Sequence, residues 1–433
     1  MNSAVWRAFL VVTRRGHGDC LDKRPGTSLG GRPIGTIIMA STTCKSATEA
    51  SVDACVVCAH RGGVEIIDQL ADEWRDLCAE AADAQPFYRP EWIRAYLRAF
   101  VPAAKLVLIA VRIESRLRML LPLIEEAGTF SKVPVRKLRA PVNFCAGRFD
   151  AVCGAGPDAD AAIRATWKYL KGLRSWDLLQ FRDALEGSAA SRLAEVAQAE
   201  GHRTIQIPDK PSPYVTIPQD PSLLDLMPVN ARLRRELRHV RRQLAEQHSR
   251  LNFHRVETAD RDALDRFYEL EAGGWKGRES SAIISSQMRP FFDEVAESAA
   301  HFGYFTLYML ELNGQLAAAQ YGFTQGTCYY SVIVAYNESF REYSPGHLIV
   351  DEIVRDCAAR GIRRFDITGQ NQEWKMRWTK AARPVNHHFV FRGPLGNLAY
   401  TVASKLRPGV GRLLPWRPRD KRRNDSVLDL TEG

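Results

Sequence analysis

The chain has 433 residues, 45% of them apolar and 25% charged, and a net charge of +10. That composition excludes a disordered or fibrous protein, and the length exceeds what one hydrophobic core serves, so two domains are expected. No apolar run is long enough to span a membrane, and nine scattered cysteines, an odd number, speak against a disulfide framework and for a reducing, cytoplasmic setting.

The charge is local. Residues 232–242 hold six arginines and one glutamate, and residues 417–423 hold five basic residues and one aspartate. The rest is near neutral, so nucleic acid is not the expected partner.

Residues 1–60 read as poorly ordered. The apolar stretch 4–12 is interrupted by Arg7, and Arg14 and Arg15 lie on the wrong side for a signal peptide. Met39 is an alternative start. Cys55 and Cys58 form a lone Cys-x-x-Cys with no second pair at zinc-ribbon spacing, so no metal is expected.

The first folded half begins with a short strand at 64–67 and a helix at 68–82, where Leu70, Trp74, Leu77 and Cys78 recur at helical spacing. A helix starts at Pro90, strands follow at 105–112 and 117–124, and 139–153 is irregular with one strand. A helix at 157–173, a strand at 176–181 and a helix at 188–200 complete this half. Pro208, Pro211, Pro213, Pro218 and Pro221 then crowd a stretch in which no regular helix or central strand is expected. Residues 208–229 are therefore read as a connector.

The second half opens with a basic helix at 230–247. Leu233, Leu237, Val240 and Leu244 form its apolar stripe, and the arginines cover the rest. They make a solvated face, a grip on an anionic substrate such as a nucleotide-linked sugar, with Arg235 as the candidate, or a contact with RNA. A strand at 251–257, helices at 260–272 and 286–301, and strands at 303–312, 315–324 and 327–336 follow. Asn313-Gly314 is a strong hairpin signal. A polar loop leads to Ser344, read as the N-cap of a helix with Pro345 in its first turn. Gly346 leaves that turn uncovered, and His347 lies beside it. Unpaired N–H groups and the helix dipole there form an anion-binding turn suited to a pyrophosphate. A strand at 364–368, a short helix and a strand at 385–392 end the half. The first half is a looser copy of this order, without convincing sequence identity.

That order resembles the GNAT acyltransferases, and more specifically the tandem-GNAT group that includes the CelD-type proteins of bacterial polysaccharide operons. The FemAB aminoacyl transferases are more distant relatives. The match is carried by Tyr343, Ser344, Pro345, Gly346, His347 and Leu348, then Gly361, Phe365, Asp366, Gly369, Trp374, Lys375 and Trp378. The run from Arg232 to Arg238 with Trp275, and Phe87, Tyr88 and Trp92, also fit. The resemblance spans residues 64–395. It departs from the general pyrophosphate loop, which has more glycines; only Gly346 stands here.

The resemblance implies an α/β (α+β) fold of two tandem GNAT-like domains, each a mixed, mostly antiparallel sheet flanked by helices. Residues 61–207 would be a degenerate first domain, 230–395 the acyltransferase domain, and 396–433 a basic tail able to lie on an anionic membrane surface. The implied activity is acyl-CoA-dependent N-acyl transfer to a small or sugar-linked amine, in exopolysaccharide or cellulose-type synthesis and without a metal. Tyr343, Ser344, Pro345, Gly346 and His347 would hold acyl-CoA. Asp366, a carboxylate in an apolar strand, is the candidate base or orienter, with Lys375 and Tyr330 beside it. Arg235, Trp275 and Glu373 are the substrate-binding candidates. The alternatives are a FemAB-like transferase using aminoacyl-tRNA on a cell-wall precursor, and a catalytically dead adaptor.

Overall fold

Among the described residues the two halves share an order of elements: strand, two helices, three antiparallel strands, helix, strand, helix, strand; the first half adds a short strand, and the second has a further helix at each end. A computed structural model describes residues 55–142, 148–274, 283 and 287–406. The first half consists of β1 (Val56–Gly62), α1 (Ala71–Glu80), α2 (Pro90–Phe100), β2 (Lys105–Ile113), β3 (Arg116–Phe130), β4 (Val133–Arg139), a short β5 (Val152–Cys153), α3 (Asp158–Gly172), β6 (Leu178–Leu185), α4 (Ala189–Ala199) and β7 (Arg203–Thr216). The second consists of α5 (Ala231–Glu246), β8 (Leu251–Val256), α6 (Arg261–Gly273), α7 (Met288–His301), β9 (Phe305–Leu312), β10 (Gln315–Gln325), β11 (Cys328–Tyr336), α8 (Pro345–Ala359), β12 (Arg364–Asp366), α9 (Glu373–Met376), β13 (Ala382–Phe391) and α10 (Gly393–Leu406).

One sheet passes through both halves, in the order β1-β2-β3-β4-β6-β13-β7-β12-β11-β10-β9-β8. It is mostly antiparallel; β4 with β6 and β11 with β12 are the parallel pairs. The last strand of each half is exchanged: β13 lies between β6 and β7, and β7 lies between β13 and β12. The resulting mixed α/β architecture, helices flanking a large sheet, is the expected fold class.

Three local expectations are corrected. Residues 64–67 form a 3-10 turn, and the first strand is β1, within the stretch read as poorly ordered. Strand β4 was not anticipated, because Ser131 and Lys132 turn the chain at φ 50° and 66° without a glycine or asparagine to signal it. The proline-dense segment is a central strand, β7, as far as Thr216. Its ladder with β13 skips between Asp209 and Ser212, so Pro211 sits in a bulge where a missing donor costs no ladder bond. Pro213 stands where β7 leaves β13 for β12.

The core joins the halves as firmly as the sheet does. Phe87 and Trp92 from the first half pack edge-on against Phe323, Tyr330 and Phe291 from the second, with ring centroids 4.9–6.3 Å apart. On the other side of the second half, Leu233, Leu237, Val240 and Leu244 of α5 are buried as their spacing predicts, in one cluster with Leu348, Ile349 and Ile353 of α8.

Candidate functional site

Strand β11 is paired with β12 over three positions only: Cys328 with Arg364, Tyr329 with Phe365, and Tyr330 with Asp366. Beyond them β11 continues to Tyr336 with β10 on one side and, among the described residues, no strand on the other. The sheet opens there. Residues 332–334 are only partly buried although they lie in an interior strand. Val332 is the extra residue of a bulge, since Tyr321 faces Ile333 while Gly322 faces Ser331. Glycine is required at 322, where a Cβ would stand 2.4 Å from the Tyr330 carbonyl oxygen. The bulge leaves Val332 out of the β10 ladder, beside the opening.

The open edge leads to α8. Asn337 Oδ1 accepts from Ser339 N at 3.0 Å and starts the turn Glu338–Tyr343. Ser344 then takes a left-handed conformation, φ 46°. It stands at the N-cap position as expected but makes no side-chain cap: its Oγ donates instead to Glu236 Oε1 at 2.7 Å. The N–H groups of His347 and Leu348 both reach Ser344 O. Pro345 has no N–H, so among the described residues only Gly346 N is left open in this turn. A Cβ on Gly346 would meet the Tyr336 ring at 3.4 Å.

Side chains from three elements close around this turn. Glu236 comes from α5 and also accepts from Arg377 Nη2 at 2.5 Å. Burial alone would push the Glu236 pKa up, but the Ser344 hydroxyl and the Arg377 guanidinium bring it below the ordinary value. Arg377 Nη1 lies 3.0 Å from His347 Nε2, and Trp378 Nε1 donates to His347 Nδ1 at 3.1 Å. Burial, reinforced by Arg377, pushes the His347 pKa down to about 4, so the imidazole is neutral at neutral pH. Tyr343 donates to Gln247 Oε1 at 2.9 Å and ties the preceding turn to the end of α5.

Tyr343 to His347 thus form one end of the opening, and Tyr330 and Asp366 form its base. The roles expected at the base do not fit their surroundings. Asp366 is fully buried; Arg148 donates to Oδ1 at 2.7 Å and to Oδ2 at 2.9 Å, and Thr368 N donates to Oδ1. A carboxylate held by a two-pronged guanidinium cannot reach a substrate, so the general-base role is withdrawn. Arg148 also reaches Gln85 and Ser212. It therefore ties the first half to the second through the charge on Asp366. Tyr330 is 1% exposed, donates to Ala84 O at 3.2 Å and has its pKa pushed up by burial, which makes it a core residue. Lys375 is buried and donates from Nζ to Thr368 O at 2.7 Å, with the Trp374 ring 5.6 Å away. Glu373 is exposed in the first turn of α9, and Arg235 is exposed on α5 away from its buried stripe. Trp275 and the tail at 417–423 lie outside the described residues.

Two members of the site, Glu236 and Arg377, were not foreseen. Glu236 is the lone acid in the arginine run of α5, and that oddity was its signal. Arg377 sits between two motif tryptophans and was hidden by them.

The corresponding turn in the first half differs. Helix α3 carries Asp158 and Asp160 in its first turn, and Arg118 donates to Asp158 at 2.6 and 3.0 Å. Carboxylates already answer the dipole there and disfavour a further anion. At α4, Asp150 is buried and accepts from the N–H groups of Ala151, Ala189 and Ala190 at 2.7–3.1 Å. Burial outweighs those donors and raises its pKa to about 7. The folded protein therefore keeps this proton over a range where the unfolded chain has lost it. The stabilising effect is full below about pH 4 and fades as pH rises through 7. Asp150→Asn should flatten that part of the stability–pH curve, read by urea unfolding between pH 4 and 8.

Asp183, Asp209 and His387 are the one group among the described residues with metal-ligand spacing, their ligand atoms within 4.8 Å of one another. Asp183 N donates to His387 Nδ1 at 3.0 Å, so a neutral ring carries its hydrogen on Nε2 and turns no lone pair to a metal. Cys55 and Cys58 form no disulfide among the described residues. No described helix is long and apolar enough to cross a membrane.

Residues 231–376 match the family model of an acetyltransferase (GNAT) domain. No match was found among curated proteins. Among solved structures, that of FemX superposes with a TM-score of 0.54 at 11% identity, covering 76% of this chain and 98% of FemX. The C-terminal domain of a putative lysylphosphatidylglycerol synthetase from Agrobacterium fabrum gives 0.47 at 12% identity, covering 78% and 97%. A tandem GNAT protein from the clavulanic acid biosynthesis pathway gives 0.42 at 16%, covering 78% and 99%. Only the first is close enough to support the fold. The strand opening, the bulge and the helix start all lie within residues 231–376, the part of the chain that is similar to the acetyltransferase (GNAT) domain model.

Proposed function

We propose that the protein transfers an acyl group from acyl-CoA to an amine, with the donor laid along the open edge of β11. The observation that carries the reading is the parting of β11 from β12 after Tyr330 and Asp366, which leaves a bulged strand edge running to the start of α8. An extended, amide-bearing chain adds to such an edge as a further strand would. Its phosphates then reach the positive end of α8.

The amine nitrogen attacks the thioester carbonyl, the C–N bond forms, the C–S bond breaks, and the amine proton leaves with the thiolate. In this reading, backbone N–H groups at the bulge stabilise the oxyanion. Positioning supplies the rest, since the carboxylate expected as base is sealed in an ion pair. The acceptor class is a small or sugar-linked amine. By the resemblance to CelD-type proteins, the setting is exopolysaccharide or cellulose-type synthesis, with the basic tail resting on a membrane surface.

A second reading is favoured by one observation: among the described residues the α8 turn offers a single open backbone N–H, and it already holds the Glu236 carboxylate. That is a poor pyrophosphate cradle, and the resemblance to FemAB enzymes then points to aminoacyl-tRNA as donor. Calorimetric titration of the full chain with acetyl-CoA and longer acyl-CoAs separates the readings. Saturable binding is the expected result. Failure to bind CoA, together with RNA binding that weakens steeply with salt, would replace the first reading by the second. Binding of neither would leave an adaptor.

A further inference from the structure

We propose that Glu236 is a built-in occupant of the donor's phosphate site, and that donor binding is an exchange in which a phosphate displaces this carboxylate from Ser344 and Arg377. The inference rests on the reading of the α8 turn as the donor site.

The hydrogen-bond inventory shows the turn to be short of acceptors. A neutral imidazole accepts at one nitrogen only. Trp378 is 2% exposed, and its indole N–H needs the acceptor it finds at His347 Nδ1. The ring hydrogen is therefore on Nε2, which stands 3.0 Å from Arg377 Nη1. Two donors face one another there. Gly346 N is open beside them, and Ser344 Oγ has turned away from its own helix. Four donor groups thus lie at the start of α8: His347 Nε2, Arg377, Ser344 Oγ and Gly346 N.

Among the described residues the side-chain acceptor facing these donors is Glu236, whose two oxygens serve Ser344 and Arg377 and do not answer His347 Nε2 or Gly346 N. A phosphate has more oxygens and more charge, and can accept from all four. It cannot share the place with a carboxylate. Glu236 can leave, since it lies on the half-exposed flank of α5. Arg232, four residues back on that helix and exposed, stands at ion-pairing spacing from it. The carboxylate keeps the donors ordered while the site is empty and sets a threshold that a singly charged anion does not pass.

The test is calorimetry with CoA and with inorganic pyrophosphate on the wild-type chain, Glu236→Gln and Glu236→Ala. Thermal unfolding checks that each variant is folded. Removing the competing charge should tighten both ligands about tenfold, the equivalent of one charge-assisted hydrogen bond. Arg377→Gln in the Glu236→Gln background should abolish the gain. Equal affinity of folded wild type and variants for CoA would overturn the exchange and leave the acyl-CoA reading standing. Pyrophosphate binding that tightens in the variants, without CoA binding in any of them, would support the exchange and remove CoA as donor. No phosphate binding by any folded variant would overturn both.

Discussion

Asp366→Ala should cost about 3–5 kcal/mol of stability, because it leaves the Arg148 guanidinium charged and unpaired in the interior. Both side chains are completely buried, and the pair is two-pronged at 2.7 and 2.9 Å. Arg148→Ala should cost a similar amount by stranding the carboxylate. Replacing both with apolar residues, as in Arg148→Met with Asp366→Leu, should recover most of either loss, since an ion pair of this kind repays little beyond its own desolvation. Urea unfolding of the two single variants and the double variant measures the coupling. The role of base would return if Asp366→Asn kept wild-type stability, bound donor normally and lost turnover. The expected outcome is the reverse: destabilisation, with turnover falling only as far as the folded fraction falls.

Gly346→Trp should weaken acyl-CoA binding by a hundredfold or more, about 3 kcal/mol, with little change in folding stability. The reason is geometric. The first side-chain atom at 346 already meets the Tyr336 ring at 3.4 Å, so a large side chain is driven outward across the start of α8. It would cover Gly346 N, the backbone N–H of that turn left open among the described residues. Gly346→Ala tests the same idea gently, since its Cβ is at ordinary contact distance and should be tolerated. Unchanged CoA affinity in the tryptophan variant would show that donor phosphates do not lie at α8.

Much of the architecture was legible because it rests on local periodicity. The buried stripe of α5, the helix starts at Pro90 and Pro345 and the Asn313-Gly314 hairpin each depend on residues a few positions apart. The candidate site was half legible. The turn from Tyr343 to His347 is contiguous in sequence, and its geometry follows from a proline and a glycine in one helical turn. Its partners Glu236 and Arg377 lie 108 and 33 positions from Ser344, and no spacing rule joins them.

The misreadings share one cause. Prolines at 211 and 213 read correctly as hostile to a ladder, yet a bulge and a change of partner strand let them stand in the middle of the sheet. Asp366 read correctly as a carboxylate too costly to bury alone. Sequence determined that it needed a partner; whether that partner was a substrate or a buried arginine from the other half was decided by which strands were exchanged. What the amino-acid order determined by itself was the repeated succession of strands and helices, because propensity and periodicity act over a few residues. The tertiary structure alone decided which charges meet, because that depends on contacts between segments more than two hundred residues apart.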